Sequence, residues 1–119
     1  METKTIGDGI WVREPRRLRL IPYVNITHVH YHDGLSVVYM GKEILKKLHT
    51  PLNGLEKLMP EDLFFRTHRN YIINKTFVSA YAPEGIVRLL SGREIVPVAR
   101  RRRRSLENFL SSRSIQMQS

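Results

Sequence analysis

The sequence predicts a mainly β domain of antiparallel sheets with one or two short helices. Three observations lead there. Short β-type runs recur from Ile10 to Val98, turn-forming residues separate them, and only two segments carry apolar residues at a spacing that suits a helix alone. A length of 119 residues gives room for one modest core and too little chain for two packed domains.

The elements follow in order. Residues 10–13 and 18–21 flank Glu14, Pro15, Arg16 and Arg17, where proline presets one turn dihedral, so they read as a hairpin. From Tyr23 the pattern alternates until Asp33 and Gly34, a pair that tight hairpin turns favour, and residues 35–40 resume it as a second hairpin. The segment "EILKKLH" that follows Gly41 and Lys42 suits a helix as well as an edge strand. Thr50 and Pro51 form a helix-start signal, threonine as the cap and proline at the first helical position. Leu52, Leu55 and Leu58 or Met59 then space one short amphipathic helix that Pro60 closes. Runs at 64–68, 71–73, 76–81, 86–90 and 94–98 complete the β content, punctuated by "APEG" and "SGR". Leu106, Phe109 and Leu110 mark a terminal helix, and the polar tail of residues 112–119 is expected to fray.

Charge narrows the partner. Lysine and arginine total 20 against 11 acidic residues, a net charge of +9 and a pI near 10.4. Such an excess repels itself and is usually offset by a polyanion, nucleic acid before anionic membrane. Zero cysteines exclude disulfides, thiolate zinc sites and cysteine nucleophiles. No apolar run approaches the roughly 20 residues of a bilayer span, and "METKTIGDGIW" lacks the apolar stretch of a secretory signal, so the expectation is a cytoplasmic protein without membrane insertion.

The densest charge is Arg100 to Arg104, which begins the terminal helix. The amide end of a helix is already partially positive, so arginines there are unfavourable by about 0.3–1 kcal/mol each until an anion relieves them. At about 100° per residue the apolar stripe centres on Arg102's side, which leaves Arg100, Arg101 and Arg104 on the opposite face. Those three are the leading candidates for nucleic-acid contact. The plain alternative is a solvated basic cluster.

"FFRTHRNYIIN", residues 64–74, shuffles Arg66, His68 and Arg69 among aromatic and aliphatic residues. It resembles the F-x-R-x-H-R-x-Y-x-x-N signature of LytTR-type DNA-binding domains of bacterial response regulators and stand-alone regulators. "LRLIPYVNITHVHYHDG", "LNGLEKLMPEDLFFR" and "GREIVPVARRRRRSLENFL" resemble the segments around that signature in the family's order, so the likeness covers residues 9–111 and leaves 1–8 as an N-terminal extension. It implies an elongated arrangement of antiparallel sheets and binding of double-stranded DNA through loops rather than a recognition helix. Arg69 falls where the family places a base-contacting side chain, and Arg100 at the second such position. A third comes from the loop between the first long strands, where His32 and Ser36 both remain open. Phosphate contacts are expected from His68, Asn70, Lys75, Arg101, Arg103 and Arg104. His68 and Asn74 are also expected to hold hydrogen bonds, and Phe65, Tyr71 and Ile73 to pack. Ala99 departs from the serine common there. The likeness further implies paired direct repeats as target, two copies together on DNA, a regulatory protein partner, no cofactor and no enzymatic activity.

Competing readings attach to the same residues. Arg69 could instead pair with Asp62 or Glu94 on the surface. His28, His30 and His32 share one strand face, which makes a metal-dependent protein conceivable. "HRNYIIN" superficially resembles a kinase catalytic loop but lacks the aspartate and any glycine-rich phosphate loop. An RNA-binding or adaptor module would use the same basic surface with aromatic residues free for base stacking.

Overall fold

A computed structural model describes residues 3–6, 8–90 and 94–111. Among them three antiparallel sheets follow one another along the chain. Strands β1 (Thr3–Ile6), β2 (Gly9–Glu14) and β3 (Arg17–Pro22) form the N-terminal sheet in that order. The central sheet takes β4 (His28–His32), β5 (Leu35–Met40), β6 (Glu43–Leu48), β7 (Phe64–His68) and β8 (Tyr71–Asn74) in the order β6-β5-β4-β8-β7. The third sheet holds β9 (Val78–Ala82), β10 (Ile86–Leu89) and β11 (Ile95–Pro97), with β10 in the middle. Helix α1 spans Leu52–Leu58 and α2 spans Arg103–Ser111, the latter entered through a 3-10 turn at Arg100–Arg102. With extents of 54 × 28 × 25 Å, the molecule is twice as long as it is wide.

Three local points gain definition. Residues 1–8 include β1, which pairs with β2 from Thr3↔Val12 to Ile6↔Gly9. "EILKKLH" becomes the edge strand β6: Gly41, at φ 65°, turns the chain back on β5, and pairing from Met40↔Glu43 to Ser36↔Leu48 satisfies its backbone. At α1 the cap is Pro51 rather than Thr50, since the Pro51 carbonyl accepts from Gly54 N and Leu55 N. The "SGR" turn and the tail at 112–119 lie outside the described residues.

Successive side chains of a strand point to opposite faces, and the central sheet uses this to serve two cores. Phe64 and Ile72 join Ile10, Val29, Val38, Leu52 and Leu55 on the side covered by the N-terminal sheet and α1. Phe65, Tyr71 and Ile73 join Val87, Leu89, Val96 and Leu106 on the side covered by the third sheet and α2. The mixed stretch at 64–74 is therefore two adjacent strands, each buried on both faces. Each fully buried leucine or isoleucine contributes about 1.5–3 kcal/mol, so both cores hold these strands firmly. Asn74 adds polar stitching: its Nδ2 donates to Tyr23 O (3.1 Å) and Ile26 O (3.0 Å), and its Oδ1 accepts from Thr76 N (2.9 Å).

Candidate nucleic-acid interface

Two hairpin tips emerge at the same end of the central sheet. In the first, Asp33 (φ 52°) and Gly34 (φ 78°) form a two-residue turn between the paired His32 and Leu35. Both central residues have positive φ, the geometry that matches the twist of the flanking strands. His32 is exposed there, its Nε2 3.2 Å from Asp33 Oδ2. In the second, Arg69 and Asn70 join β7 to β8, and the register shifts between Arg66 and His68. Strand β4 pairs with β8, and Tyr31 N donates to Asn70 O (2.8 Å), so the tips are stitched together.

The third segment is the start of the C-terminal helical run. Ala99 N donates to Thr67 O (2.8 Å), and Arg102 Nη1 donates to Arg66 O (3.1 Å), which sets Arg100 beside the Arg69 turn. Ala99 supplies no side-chain cap, so the positive helix end carries no built-in counter-dipole. From there α2 runs back along β7, with Phe109 5.2 Å from the Phe65 ring.

The five arginines divide into two groups. Arg100, Arg101 and Arg104 are exposed. Arg102 and Arg103 are half-buried and turned onto protein backbone. Arg103 Nη1 lies 3.4 Å from the Pro83 carbonyl, and its guanidinium lies over Gly85, whose φ of 110° and lack of Cβ make the space. Arg103 thus packs against the β9–β10 turn instead of standing with the exposed arginines. Arg69 is exposed and makes no ion pair among the described residues, with Asp62 or Glu94 or otherwise.

Other candidates sit elsewhere than expected. Ser36 is wholly buried, and its hydroxyl donates to Thr50 O (2.7 Å); it lies on the Val38 face of β5 and offers nothing to a ligand at the tip. Between His32 and Ser36, only His32 is accessible. Lys75 follows β8 at its far end, about 17 Å from Asn70 of the turn at ~3.3 Å per strand residue. Its Nζ stands 5.0 Å from the centroid of the Phe109 ring. His68 is half-buried and accepts from Asn70 N through Nδ1 (3.1 Å), which makes it a clamp within the turn.

His28, His30 and His32 share a face, as strand alternation requires, and form an aromatic ladder. His28 stacks on Tyr39 (4.6 Å), His30 on Tyr71 (4.2 Å), and His30 lies 5.4 Å from His32. Burial, with His30 beside it, holds the His28 pKa down to about 4, and burial with His32 and His68 nearby also lowers that of His30. Among the described residues no group of three histidine, cysteine or acidic side chains is placed to hold a metal ion.

Arg66, Asn53 and Glu56 have no role assigned by the sequence pattern, yet the structure joins them. Arg66 lies on the Phe64 face of β7, toward α1, only 9% exposed. It donates from Nη1 to Asn53 Oδ1 and Glu56 Oε1 (both 2.9 Å), and from Nε to His68 O (2.9 Å). Its Nη2 donates to Arg69 O. The available signal was the phase of Arg66, two residues from Phe64 and so on a core face.

Comparison with known proteins agrees with this architecture. The family model for the LytTr DNA-binding domain matches residues 16–111. The chain is 26% identical over 97 residues to the sensory transduction protein LytT of Enterococcus faecalis, an alignment covering 79% of this chain and 40% of that relative. A solved LytTr DNA-binding domain from Bacillus cereus superposes with a TM-score of 0.73 at 19% identity, covering 87% of this chain and 97% of that one. Two exposed tips and a basic helix start, carried on three antiparallel sheets, are thus features of a chain that belongs to the LytTr DNA-binding domain family.

Proposed function

We propose that this domain is a non-enzymatic transcription regulator that reads double-stranded DNA in a sequence-specific manner through the end of the central sheet that bears the two tips, together with the helix start beside it. The observation that carries the reading is that backbone hydrogen bonds, Tyr31 N to Asn70 O and Ala99 N to Thr67 O, join the three separate segments that bear the exposed Arg69, His32, Arg100, Arg101 and Arg104. A two-stranded β tip fits the major groove, about 12 Å wide. Arg69 carries a planar donor fork on a turn fixed by buried strands, which suits the O6 and N7 atoms of one guanine. Arg100 and His32 address bases from the neighbouring segments. Arg101, Arg104 and Asn70 meet phosphates, and the uncapped helix start adds a favourable dipole.

A domain of this size covers a short footprint, so two copies occupy paired direct repeats spaced by about one helical turn, 10–10.5 base pairs. A regulatory protein controls access to them. No helix of the described residues is long and apolar enough to cross a membrane, and a chromosomal target implies work in the cytoplasm. The test is selection of bound sites from a random duplex library, with structured RNA as competitor. A recovered repeated motif containing guanine supports the reading. Recovery without sequence preference, or stronger capture by RNA, overturns it.

A further inference from the structure

We infer that Arg66, braced by Asn53 and Glu56 of α1, is a specificity-determining positioning residue that sets the direction in which Arg69 leaves the backbone. The inference rests on the reading of Arg69 as a base contact. Arg66 itself is buried and stands behind the turn. An arginine has five N–H donors, and four here are used: Nε to His68 O, Nη2 to Arg69 O, and Nη1 to both Asn53 Oδ1 and Glu56 Oε1.

The two carbonyls matter because of where they lie. His68 O belongs to the peptide plane before the Arg69 Cα, and Arg69 O to the plane after it. One guanidinium therefore holds both planes that flank this Cα, which fixes φ and ψ and with them the Cα–Cβ direction. The neighbouring peptide is held too, because Asn70 N donates to His68 Nδ1 (3.1 Å) and Asn70 O accepts from Tyr31 N (2.8 Å).

The guanidinium is in turn aimed by α1. Glu56 pairs its charge at 2.9 Å, and the buried cation would otherwise carry a desolvation cost. Glu56 and Asn53 are exposed on α1, away from the core-facing Leu52 and Leu55. The helix thus transmits its position, through one side chain, to the turn that carries the reader. A lysine could not do this, since a single ammonium on a flexible stem cannot hold two successive carbonyls and two α1 oxygens in one plane.

The brace predicts a separation of effects. An Asn53→Ala/Glu56→Ala pair, both on the surface of α1, keeps the fold at a lower melting temperature, since the Arg66 cation loses its partners, and lowers the ratio of selected-site to single-base-variant affinity about tenfold at the position Arg69 reads while nonspecific affinity holds. Arg66→Lys lowers it at least as far despite keeping the charge. The experiment is competition titration of the selected duplex, its single-base variants and an unrelated duplex at fixed salt. Thermal unfolding of each variant and the same titration of Arg69→Ala run beside it. Loss of preference at that position with an unchanged salt slope supports the brace. If Arg69→Ala relaxes preference and the α1 pair does not, the brace is overturned while the reader stands. If Arg69→Ala leaves preference intact, the reader falls and the brace with it. A parallel fall of specific and nonspecific affinity, tracking a lower melting temperature, shows a role in stability alone and overturns the inference.

Discussion

Removing Arg101 and Arg104 together should flatten the salt dependence of DNA binding, and removing Arg102 and Arg103 should not. Both pairs delete the same charge from the same five-residue run, but the structure gives them different surroundings. Arg101 and Arg104 are exposed at the helix start, whereas Arg102 donates to Arg66 O and Arg103 lies over Gly85 and reaches the Pro83 carbonyl. Each phosphate neutralised on duplex DNA contributes a slope of about 0.9 in log affinity against log salt. Two contacts amount to about 1.8. Over a fourfold rise from 50 to 200 mM salt, about 0.6 log units, the wild type should lose roughly twelvefold more affinity than Arg101→Ala/Arg104→Ala. Arg102→Ala/Arg103→Ala should keep the wild-type slope and instead lose stability, on the order of 1–3 kcal/mol, as Arg66 O is left without a donor. Fluorescence anisotropy across that range and urea titration of each protein measure both. An equal flattening in the two pairs would refute the division of the run into surface and framework arginines.

Two further outcomes concern the framework. Gly85→Ala should destabilise by about 1–3 kcal/mol in urea unfolding, because a Cβ is strained at φ 110° and the new methyl would push the Arg103 guanidinium off the turn; a neutral result would contradict that backbone conformation. For His28 the folded pKa, about 4, lies below the ordinary 6.5, so the folded state favours the neutral ring and the unfolded chain binds more protons between those values. Stability should therefore be fully present above about pH 6.5 and fall toward pH 4, by up to about 3 kcal/mol. His28→Gln should flatten that fall, and an identical pH profile in both proteins would remove His28 as its source.

Much of this was legible in the sequence because strand and helix periodicities are local. Alternation assigns Phe64, Phe65, Ile72 and Ile73 to opposite faces, the Asp33-Gly34 pair marks its turn, and 100° per residue separates Arg100, Arg101 and Arg104 from Arg102. Ser36 was legible in principle, since it shares the period-two face of the buried Val38. What was not legible depends on contacts between distant segments. Arg103 is held by the Pro83 carbonyl and packs over Gly85 in the β9–β10 turn, Lys75 stands by Phe109 in α2, and Arg66 is held by two residues of α1. No spacing in the chain encodes those pairings. The strand-or-helix ambiguity of "EILKKLH" was likewise settled by the edge of β5 waiting to be paired, not by its own apolar pattern.

On the proposed function Arg69, at the tip of a turn fixed from behind, reads a base rather than merely attracting the backbone. The direct measurement is a competition titration of the selected duplex against its single-base variants, for wild type and Arg69→Ala. Arg69→Ala should fold normally and keep its nonspecific affinity, yet lose about 1–3 kcal/mol of discrimination at one guanine position, with only partial recovery in Arg69→Lys. An unchanged preference profile in Arg69→Ala, or a uniform loss of affinity across all duplexes, would contradict it.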